Sequence, residues 1–295
     1  MILITGLTGT SGKPFYDVLC REQYNEKIRV VVRETTDTSQ FDGSPLDLEL
    51  VTGDVTDVEF MKKALEGCDT VFHIAIKNHS HLVMEAVKQS PQIKRVILVS
   101  STIVYSEFYK TLDLKEREVE IRQLLEERNI RYVFIRPTMI FGTPHDRNIS
   151  VFIRWFMKYP LFPIVKNGTA NIQPVSRYDL AEAYWLILKN LDNLKQTEYI
   201  VSGKDCMSLL EMFRLLTDLI GKKVRFINIP FGIASAAVKA VYYLSFKKVD
   251  FREKLDRLTE DRAYPHDVIA EELGYSPHPF VYHAKTLVAE MQKNK

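Results

Sequence analysis

The stretch MILITGLTGTSG, residues 1–12, decides the fold. Four apolar residues typical of a buried strand, followed by Thr5, lead into Gly6, Gly9 and Gly12, which are spaced three apart, and the pattern of a helix follows. Glycine at these positions allows a tight strand-to-helix turn, the approach of backbone N–H groups to a pyrophosphate, and close packing of helix on strand. Because the N-terminus of that helix attracts anions, the stretch predicts a dinucleotide phosphate loop.

A nucleoside triphosphate loop is the competing interpretation, because Gly12 and Lys13 resemble its end. That loop requires glycine where Leu7 stands and Ser or Thr where Pro14 stands, so two positions exclude it. Glycines that form only a surface turn are the remaining alternative. The strand before the loop and the helix after it favour the dinucleotide interpretation.

Short apolar runs alternate with helical patterns from this loop as far as Gly142. The runs are MILIT, KIRVVV, LELVTG, TVFHIA, RVILVS and RYVFIR. Strands that are apolar on both faces and separated by helices are typical of a parallel sheet covered on both sides. Right-handed crossovers make such a sheet doubly wound. We therefore predict an α/β protein with a doubly wound parallel sheet, the Rossmann NAD(P)-binding fold.

The regular alternation of strand and helix patterns ends after Gly142, and a smaller C-terminal α/β substrate lobe is predicted there. We assign residues 1–142 and 178–203 to the NAD(P)-binding Rossmann domain. Residues 143–177 and 204–295 are assigned to the substrate-binding lobe.

Two helical segments deserve separate interpretation. The segment KEREVEIRQLLEER at 115–128 mixes both charges and is interpreted as a solvated helix face. Because this helix has one apolar stripe, it favours a monomer or weak dimer. The apolar run at 231–246 is too short to span a bilayer. We interpret it as a buried helix, with a role at a membrane surface as the alternative.

The composition excludes several classes of function. The 295 residues include 40 basic and 38 acidic side chains, a net charge of +2, and no basic stripe with interleaved aromatics, so nucleic acid is not an expected partner. Cys20, Cys68 and Cys206 are too scattered for a disulfide framework or a zinc site, so no metal is expected and a reducing compartment fits. The first strand is not preceded by the basic segment of a signal peptide, and we expect a cytoplasmic protein.

The end of the second predicted strand bears on the choice of cofactor. An acidic residue about 20 residues beyond the loop binds the ribose 2′-OH of NAD, whereas Arg33 suits the 2′-phosphate of NADP. NADP(H) is therefore preferred and NAD(H) is possible, since Arg33 could also be an ordinary surface residue. Asp54, after the third strand, could contact adenine or form an Asx turn or helix cap.

Seven motifs resemble those of the extended short-chain dehydrogenase/reductase family, in its branch of NAD(P)-dependent nucleotide-sugar epimerases, dehydratases and reductases. They cover most of the chain in the family's order: TGLTGTSG, GDVTD, HIAI, SSTIVY, IRPTMIFG, QPVSRYDLAEA and LGYSPHPF. The ordered set is more specific than any single motif, because a glycine-rich loop is informative only in its context.

The resemblance implies a set of site residues. The catalytic Ser or Thr of the family falls on Ser101, and the catalytic lysine, which also holds the ribose, falls on Lys115. Tyr105 and Met139 fall on substrate contacts. The implied cofactor contacts are Gly6, Thr8, Gly9, Thr10, Ser11, Gly12, Arg33, Asp54, Val55, Ile74, Ala75, Lys115, Pro137 and Thr138.

The chain departs from the family at the catalytic tyrosine. Thr111 stands four residues before Lys115, where the Tyr-x-x-x-Lys pair has its tyrosine. An aliphatic hydroxyl does not reach the tyrosine pKa of ~10. A displaced Tyr109, Tyr105 or water is left as the proton donor, and the loop between Tyr105 and Lys115 is shorter than is usual in the family.

Two functions of different classes follow. The first is a nucleotide-sugar epimerase or reductase-like protein that moves hydride between NADP(H) and a sugar carbonyl carbon, with a small-molecule substrate. The second is a non-catalytic NADP(H)-binding sensor or scaffold, which the absent tyrosine favours. A lyase or isomerase that uses the cofactor only as structure is a third possibility. Turnover separates the first two, because both bind the cofactor.

Overall fold

The computed structural model of the protein describes residues 1–75, 79–106, 112–244 and 252–293. The strands in these ranges are β1 (Ile2–Thr5), β2 (Ile28–Val32), β3 (Leu48–Thr52), β4 (Thr70–His73), β5 (Arg95–Val99), β6 (Arg131–Pro137), β7 (Ile140–Phe141), β8 (Leu161–Val165), β9 (Asn171–Ile172), β10 (Val175–Ser176), β11 (Glu198–Val201), β12 (Met207–Ser208) and β13 (Arg225–Ile229). The helices are α1 (Gly12–Arg21), α2 (Val58–Leu65), α3 (Ser80–Lys88), α4 (Leu112–Glu127), α5 (Ile149–Lys158), α6 (Arg177–Lys189), α7 (Leu209–Ile220), α8 (Phe231–Leu244), α9 (Arg252–Arg257), α10 (Asp267–Leu273) and α11 (Phe280–Lys293).

Seven strands form the central sheet in the order β11-β6-β5-β4-β1-β2-β3. Every neighbouring pair in this sheet is parallel. The six strands predicted in the first half are β1 to β6, so the predicted fold class is confirmed. The direction of strand order reverses between β1 and β4, which places a topological switch point beside the glycine loop.

Helices cover both faces of the sheet. Ile2 and Ile4 of β1 pack with α1 and α6 on one face, and Leu3 packs with α2, α3 and α4 on the other. Alternate side chains of a strand point to opposite faces, which explains why a central strand is apolar throughout. The carboxyl ends of all seven strands therefore meet at one edge, where such sheets bind ligands.

The charged helix predicted at 115–128 is present as α4, but its interpretation as a solvated face is wrong for Glu118. Glu118 is buried and forms an ion pair with Arg136 of β6. A mixed-charge pattern does not distinguish a carboxylate facing water from one facing a buried guanidinium. The apolar stripe is as expected, since Ile121 and Leu125 are buried.

The C-terminal part has a core of its own, formed mainly by α5, α7 and α11. Helix α7 begins at a capping box between Ser208 and Glu211 and ends at Gly221, whose φ of 73° lies in the left-handed region. Helix α10 instead packs on the sheet, because Ile269 and Tyr275 belong to the core beneath α1 and α6. The division of the chain into two parts stays a prediction, to which α10 is an exception.

Helix α8 corrects the prediction of a buried helix at 231–246. None of its residues is buried, and Ile233, Tyr243 and Leu244 are 61%, 66% and 80% exposed. The apolar sequence predicted burial, but α5, α7 and α11 complete their shared core without this helix. Among the described helices, none combines the length and the apolar character that crossing a bilayer requires.

Candidate functional site

The glycine loop has no room for side chains where it meets the sheet and the first helix. A Cβ atom on Gly6, whose φ is +79°, would lie 2.7 Å from the backbone nitrogen of Ala75. A Cβ atom on Gly12 would lie 2.1 Å from the Gly6 carbonyl oxygen and 2.6 Å from Leu7 Cα. The Gly9 N–H donates to that same carbonyl at 2.9 Å and closes the turn. The loop is therefore a bare backbone cradle at the N-terminus of α1.

A cavity of 400 Å³ lies over this cradle. Most of the predicted cofactor contacts line it: Gly6, Thr8, Gly9, Thr10, Ser11, Arg33, Asp54, Val55, Ile74 and Ala75. They come from the loops after β1, β2, β3 and β4, at the carboxyl edge of the sheet. Gly12 closes the loop behind the cavity, whereas Lys115, Pro137 and Thr138 do not line it.

The switch point between β1 and β4 is held by a neutral histidine. The Thr5 hydroxyl and His73 Nδ1 lie 2.8 Å apart and join the two strand ends. Burial lowers the pKa of the His73 imidazole to about 4. The histidine is therefore uncharged near neutral pH and adds no positive charge beneath the cavity.

Arg33 and Asp54 take different positions around the cavity. Arg33 is exposed at the end of β2 and lines the cavity together with Thr36. Asp54 Oδ1 accepts hydrogen bonds from the backbone N–H and the hydroxyl of Thr56, both at 2.8 Å, which is an Asx turn. These bonds lower the pKa of the Asp54 carboxyl. The helix cap of α2 is Asp57 rather than Asp54.

A second cavity, of 220 Å³, lies at the carboxyl ends of β5 and β6. Ser101, Thr138 and Met139 line it, so three predicted site residues meet there. The Pro137 carbonyl lies behind them and accepts a hydrogen bond from Thr102 at 3.3 Å. The remaining lining residues are Thr102, Ile103, Ser106, Ile140, Asn148, Ile172, Arg257, Arg262 and Tyr264.

Two arginines, Arg257 and Arg262, line the second cavity, and the Glu260 carboxylate lies near them and accepts a hydrogen bond from the Ser106 hydroxyl at 2.8 Å. The backbone N–H of Arg262 donates to the Asn171 carbonyl at 2.7 Å, which fixes this residue beside β9. Burial and the neighbouring Arg257 guanidinium lower the pKa of Arg262 to about 10. In the described part of the chain, Arg262 Nε is buried without a hydrogen-bond partner. A half-buried guanidinium of this kind is suited to an anion in the cavity.

A buried ion-pair network lies behind Ser101. Ser100 donates to Glu118, and Arg136 contacts the Ser100 hydroxyl at 3.2 Å and both Glu118 and Glu198 at 2.8 Å. Burial opposes the charge of Arg136, but the two carboxylates outweigh it and raise the pKa of the guanidinium. The network ties β6 and β11 to α4 and to Ser100 at the end of β5, next in sequence to the cavity residue Ser101.

The Tyr105 hydroxyl is hydrogen-bonded within this network. It donates to Glu198, and its ring lies 5.3 Å from the Arg136 guanidinium and 5.5 Å from the Tyr264 ring. Burial, together with the bond to Glu198, raises the pKa of the Tyr105 hydroxyl well above its ordinary value. Tyr105 does not line the second cavity. Its predicted contact with substrate stays a prediction.

The catalytic pair implied by the resemblance is only partly described. Lys115 lies exposed on the first turn of α4 and lines neither cavity among the described residues. Tyr109 and Thr111 lie outside the described residues. The roles of Lys115 and Tyr109 therefore stay predictions.

The sequence of this chain matches one family along most of its length. The model of the NmrA-like family matches residues 1–254. The chain belongs to the NmrA-like family. Together with the sheet topology, this match confirms the predicted resemblance to atypical short-chain dehydrogenase/reductase proteins and their Rossmann fold.

This NmrA-like chain is also similar to individual proteins. Over 102 residues it is 30% identical to "NADH dehydrogenase [ubiquinone] 1 alpha subcomplex subunit 9, mitochondrial" of Arabidopsis thaliana. That match covers 35% of this chain and 25% of the Arabidopsis protein, so the chain spans only a quarter of its curated relative.

Two solved structures share its fold. UDP-glucose 4-epimerase of Thermotoga maritima, crystallised with UDP-glucose, has a TM-score of 0.70 at 16% identity and covers 99% of this chain and 98% of its own. The dTDP-glucose 4,6-dehydratase DesIV of Streptomyces venezuelae, crystallised with NAD, has a TM-score of 0.72 at 18% identity and covers 99% and 97%. At these sequence identities, the likeness shows a shared fold and nothing more.

Sequence reasoning missed several lining residues of this NmrA-like site. Thr36, Gly53, Thr56 and His79 line the first cavity, and none was predicted to do so. Thr36 and His79 follow β2 and β4 within a few residues. Their positions just after predicted strands could therefore have indicated that they line the cavity. Arg262 had no such signal, because it lies in an irregular segment whose approach to β9 depends on the folded chain.

Proposed function

We propose that this NmrA-like chain is an NADP(H)-dependent oxidoreductase or epimerase that acts on a carbonyl carbon of a nucleotide-linked sugar. The adjacency of the two cavities is the observation that supports it most. The first ends at Ile74 and Ala75 after β4, and the second begins at Ser101 after β5, the neighbouring strand. Ligands in the two cavities would therefore meet at the carboxyl edge of the sheet.

The residues of the first cavity fit a dinucleotide. The bare loop from Gly6 to Gly12 admits a pyrophosphate close to the backbone and to the N-terminus of α1. Arg33 and Thr36, at the end of β2, would hold a ribose 2′-phosphate, which favours NADP(H) while NAD(H) stays possible. When bound, NADP(H) supplies or accepts a hydride.

The residues of the second cavity have complementary roles. Ser101 would donate a hydrogen bond to the substrate carbonyl oxygen. Arg262 and Arg257 would pair with an anionic part of the substrate such as a diphosphate. Lys115 would hold the ribose, and the proton would come from water or from Tyr109. The proposal includes a cytoplasmic protein that is a monomer or weak dimer.

A non-catalytic NADP(H) sensor or scaffold is the second candidate. Three observations favour this second function. The raised pKa of the Tyr105 hydroxyl makes it a poor proton donor, Thr111 stands at the usual tyrosine position, and Lys115 is exposed. Turnover separates the two candidates. If the protein oxidises NADPH with a nucleotide-linked keto-sugar and Ser101→Ala loses this activity, the result supports the enzyme function. If no NADPH is oxidised, the result supports the sensor or scaffold function.

Arg33 provides the first test of the cofactor assignment. We expect Arg33→Ala to weaken NADPH binding about 10- to 100-fold while NADH binding changes less than threefold, because only NADPH carries the 2′-phosphate. Fluorescence titration with each nucleotide measures both affinities. Arg214→Ala, an exposed arginine of α7 outside both cavities, is the matched control. Equal losses for the two nucleotides would contradict the NADP assignment.

Arg262 provides a test of the substrate class. We expect the protein to bind UDP in calorimetric titration and Arg262→Met to weaken that binding at least tenfold, since a charge-assisted contact is lost. NADPH affinity should not change. Arg252→Met, an arginine outside the cavity, is the control. UDP binding that survives Arg262→Met unchanged would remove the anion site from the proposal.

A further inference from the structure

Charges are distributed unevenly along this chain. Residues 147–178 and residues 219–249 contain none of the 38 acidic side chains, although they contain eleven of the 40 basic ones. A chain whose net charge is only +2 therefore has two long segments of a single sign. Such segments create a local positive potential that the total charge does not reveal.

The fold brings these two segments together. Strand β8, from the first, pairs in parallel with β13, from the second, at five positions from Leu161–Arg225 to Val165–Ile229. Strand β13 leads through Pro230 directly into α8. The Lys166 ammonium after β8 lies 5.7 Å from the Phe231 ring at the start of α8. Described parts of the two acid-free segments thus form one surface, consisting of the β8–β13 ribbon, the end of α5 and α8, which we call the basic apolar face.

The basic apolar face also concentrates exposed apolar side chains. Half of the sixteen large hydrophobic side chains that are exposed in the described part of the chain lie on it: Trp155, Tyr159, Leu161, Ile227, Ile233, Val241, Tyr243 and Leu244. The Trp155 indole N–H donates to the Leu161 carbonyl at 2.9 Å, and the Tyr159 ring lies 4.8 Å from that indole. Monomeric proteins rarely expose apolar side chains so closely grouped without a partner.

We propose that the basic apolar face docks this protein onto the surface of an anionic lipid bilayer. Helix α8 is apolar around its circumference, with Lys239 as its one charged residue. An exposed apolar helix requires apolar cover, and the acyl-chain boundary of a bilayer supplies it to a helix that lies along the surface. Lys158, Lys222 and Lys223 are exposed beside it and suit lipid phosphates. Trp155 and Tyr159 are residue types enriched at the membrane–water boundary.

A second copy of the chain fits this face less well. A twofold contact would bring the same surface against itself, and the two acid-free segments would then oppose each other. The fourteen residues of α8 span about 21 Å at 1.5 Å per residue, which is shorter than the ~30 Å hydrocarbon layer. Contact with the bilayer is therefore superficial, with the helix lying along the surface.

Trp155 reports this contact directly, because the chain has two tryptophans and Trp185 lies away from the face. The experiment uses Trp185→Phe protein with vesicles of equal parts phosphatidylglycerol and phosphatidylcholine, and with vesicles of phosphatidylcholine alone. We expect a blue shift of Trp155 emission and quenching by brominated lipid with the anionic vesicles. Binding should weaken at least tenfold in about 0.5 M salt, where exposed charges are screened.

Paired variants distinguish this face from the rest of the surface. Ile233→Glu combined with Leu244→Glu should weaken vesicle binding at least tenfold without changing the melting temperature, because both side chains are exposed. Val119→Glu combined with Val268→Glu, at 54% and 52% exposure on α4 and α10, should leave vesicle binding unchanged. Absence of binding, equal binding to neutral vesicles, or equal effects of the two pairs would overturn the proposal. The proposal would also be overturned if the parent protein did not bind vesicles but self-associated, and if Ile233→Glu combined with Leu244→Glu abolished that self-association.

Discussion

Replacement of Arg136 by alanine should lower the free energy of unfolding by about 3–5 kcal/mol. Arg136 is 4% exposed and contacts Ser100, Glu118 and Glu198. Among the described residues, its loss leaves the buried Glu118 carboxylate without its ion-pair partner, and an unpaired buried charge is far more costly than an unpaired exposed one. Urea unfolding followed by circular dichroism measures the change.

Arg122 is the matched control for Arg136, because it pairs with the same Glu198 but is more exposed. We expect Arg122→Ala to cost less, about 1 kcal/mol, because this half-buried pair keeps access to solvent. Arg136→Met combined with Glu118→Leu should recover most of the loss, since it removes both charges and keeps the volume. Equal losses in Arg136→Ala and Arg122→Ala would contradict the buried network.

Gly12→Ala should abolish detectable NADPH binding, a loss of at least 100-fold, and should destabilise the protein by about 1–3 kcal/mol or more. The added methyl group would meet the Gly6 carbonyl oxygen and Leu7 Cα, both of which are backbone atoms. Neither can move aside as a flexible side chain would, so α1 must shift away from β1 and the cradle must open. NADPH titration and thermal unfolding measure the two effects separately.

Gly232→Ala is the control for the added methyl group, since a Cβ atom there meets nothing within 4 Å. Its helical position should make the change neutral or slightly stabilising. A Gly12→Ala protein that binds NADPH within threefold of the parent would show that the loop is not the phosphate cradle. It would leave the fold assignment untouched, because the sheet order does not depend on ligand binding.

The sequence was sufficient for the sheet because its signal is local. Each strand from β1 to β6 is a short apolar run between helical patterns, and Gly6 and Gly12 mark the turn at the switch point. Strands β7, β9, β10 and β12 were not predicted, because two-residue strands have no period to detect. Their existence depends on pairing between distant segments, as Ile172 with Met207 illustrates.

The site was less predictable because the sequence does not show whether a charged side chain is buried or exposed. Glu118 and Lys115 stand three residues apart in one charged segment, yet Glu118 is buried under Arg136 and Lys115 is exposed. Helix α8 illustrates the converse, since its apolar sequence predicted burial and the fold leaves it exposed. In each case the outcome depends on which surface the rest of the chain leaves open, and no local pattern contains that information.

The late arrival of β11 has a consequence for the growing polypeptide. Glu198 follows Arg136 by 62 positions in the chain, and β11 then pairs with the outer side of β6. At roughly 5–20 residues per second, a ribosome needs about 3–12 seconds to synthesise that interval. Throughout it, β6 is an open edge whose guanidinium lacks one of its two carboxylates, and open edges recruit other strands. The last strand of the sheet therefore also ends the period in which the nascent protein is most exposed to mispairing.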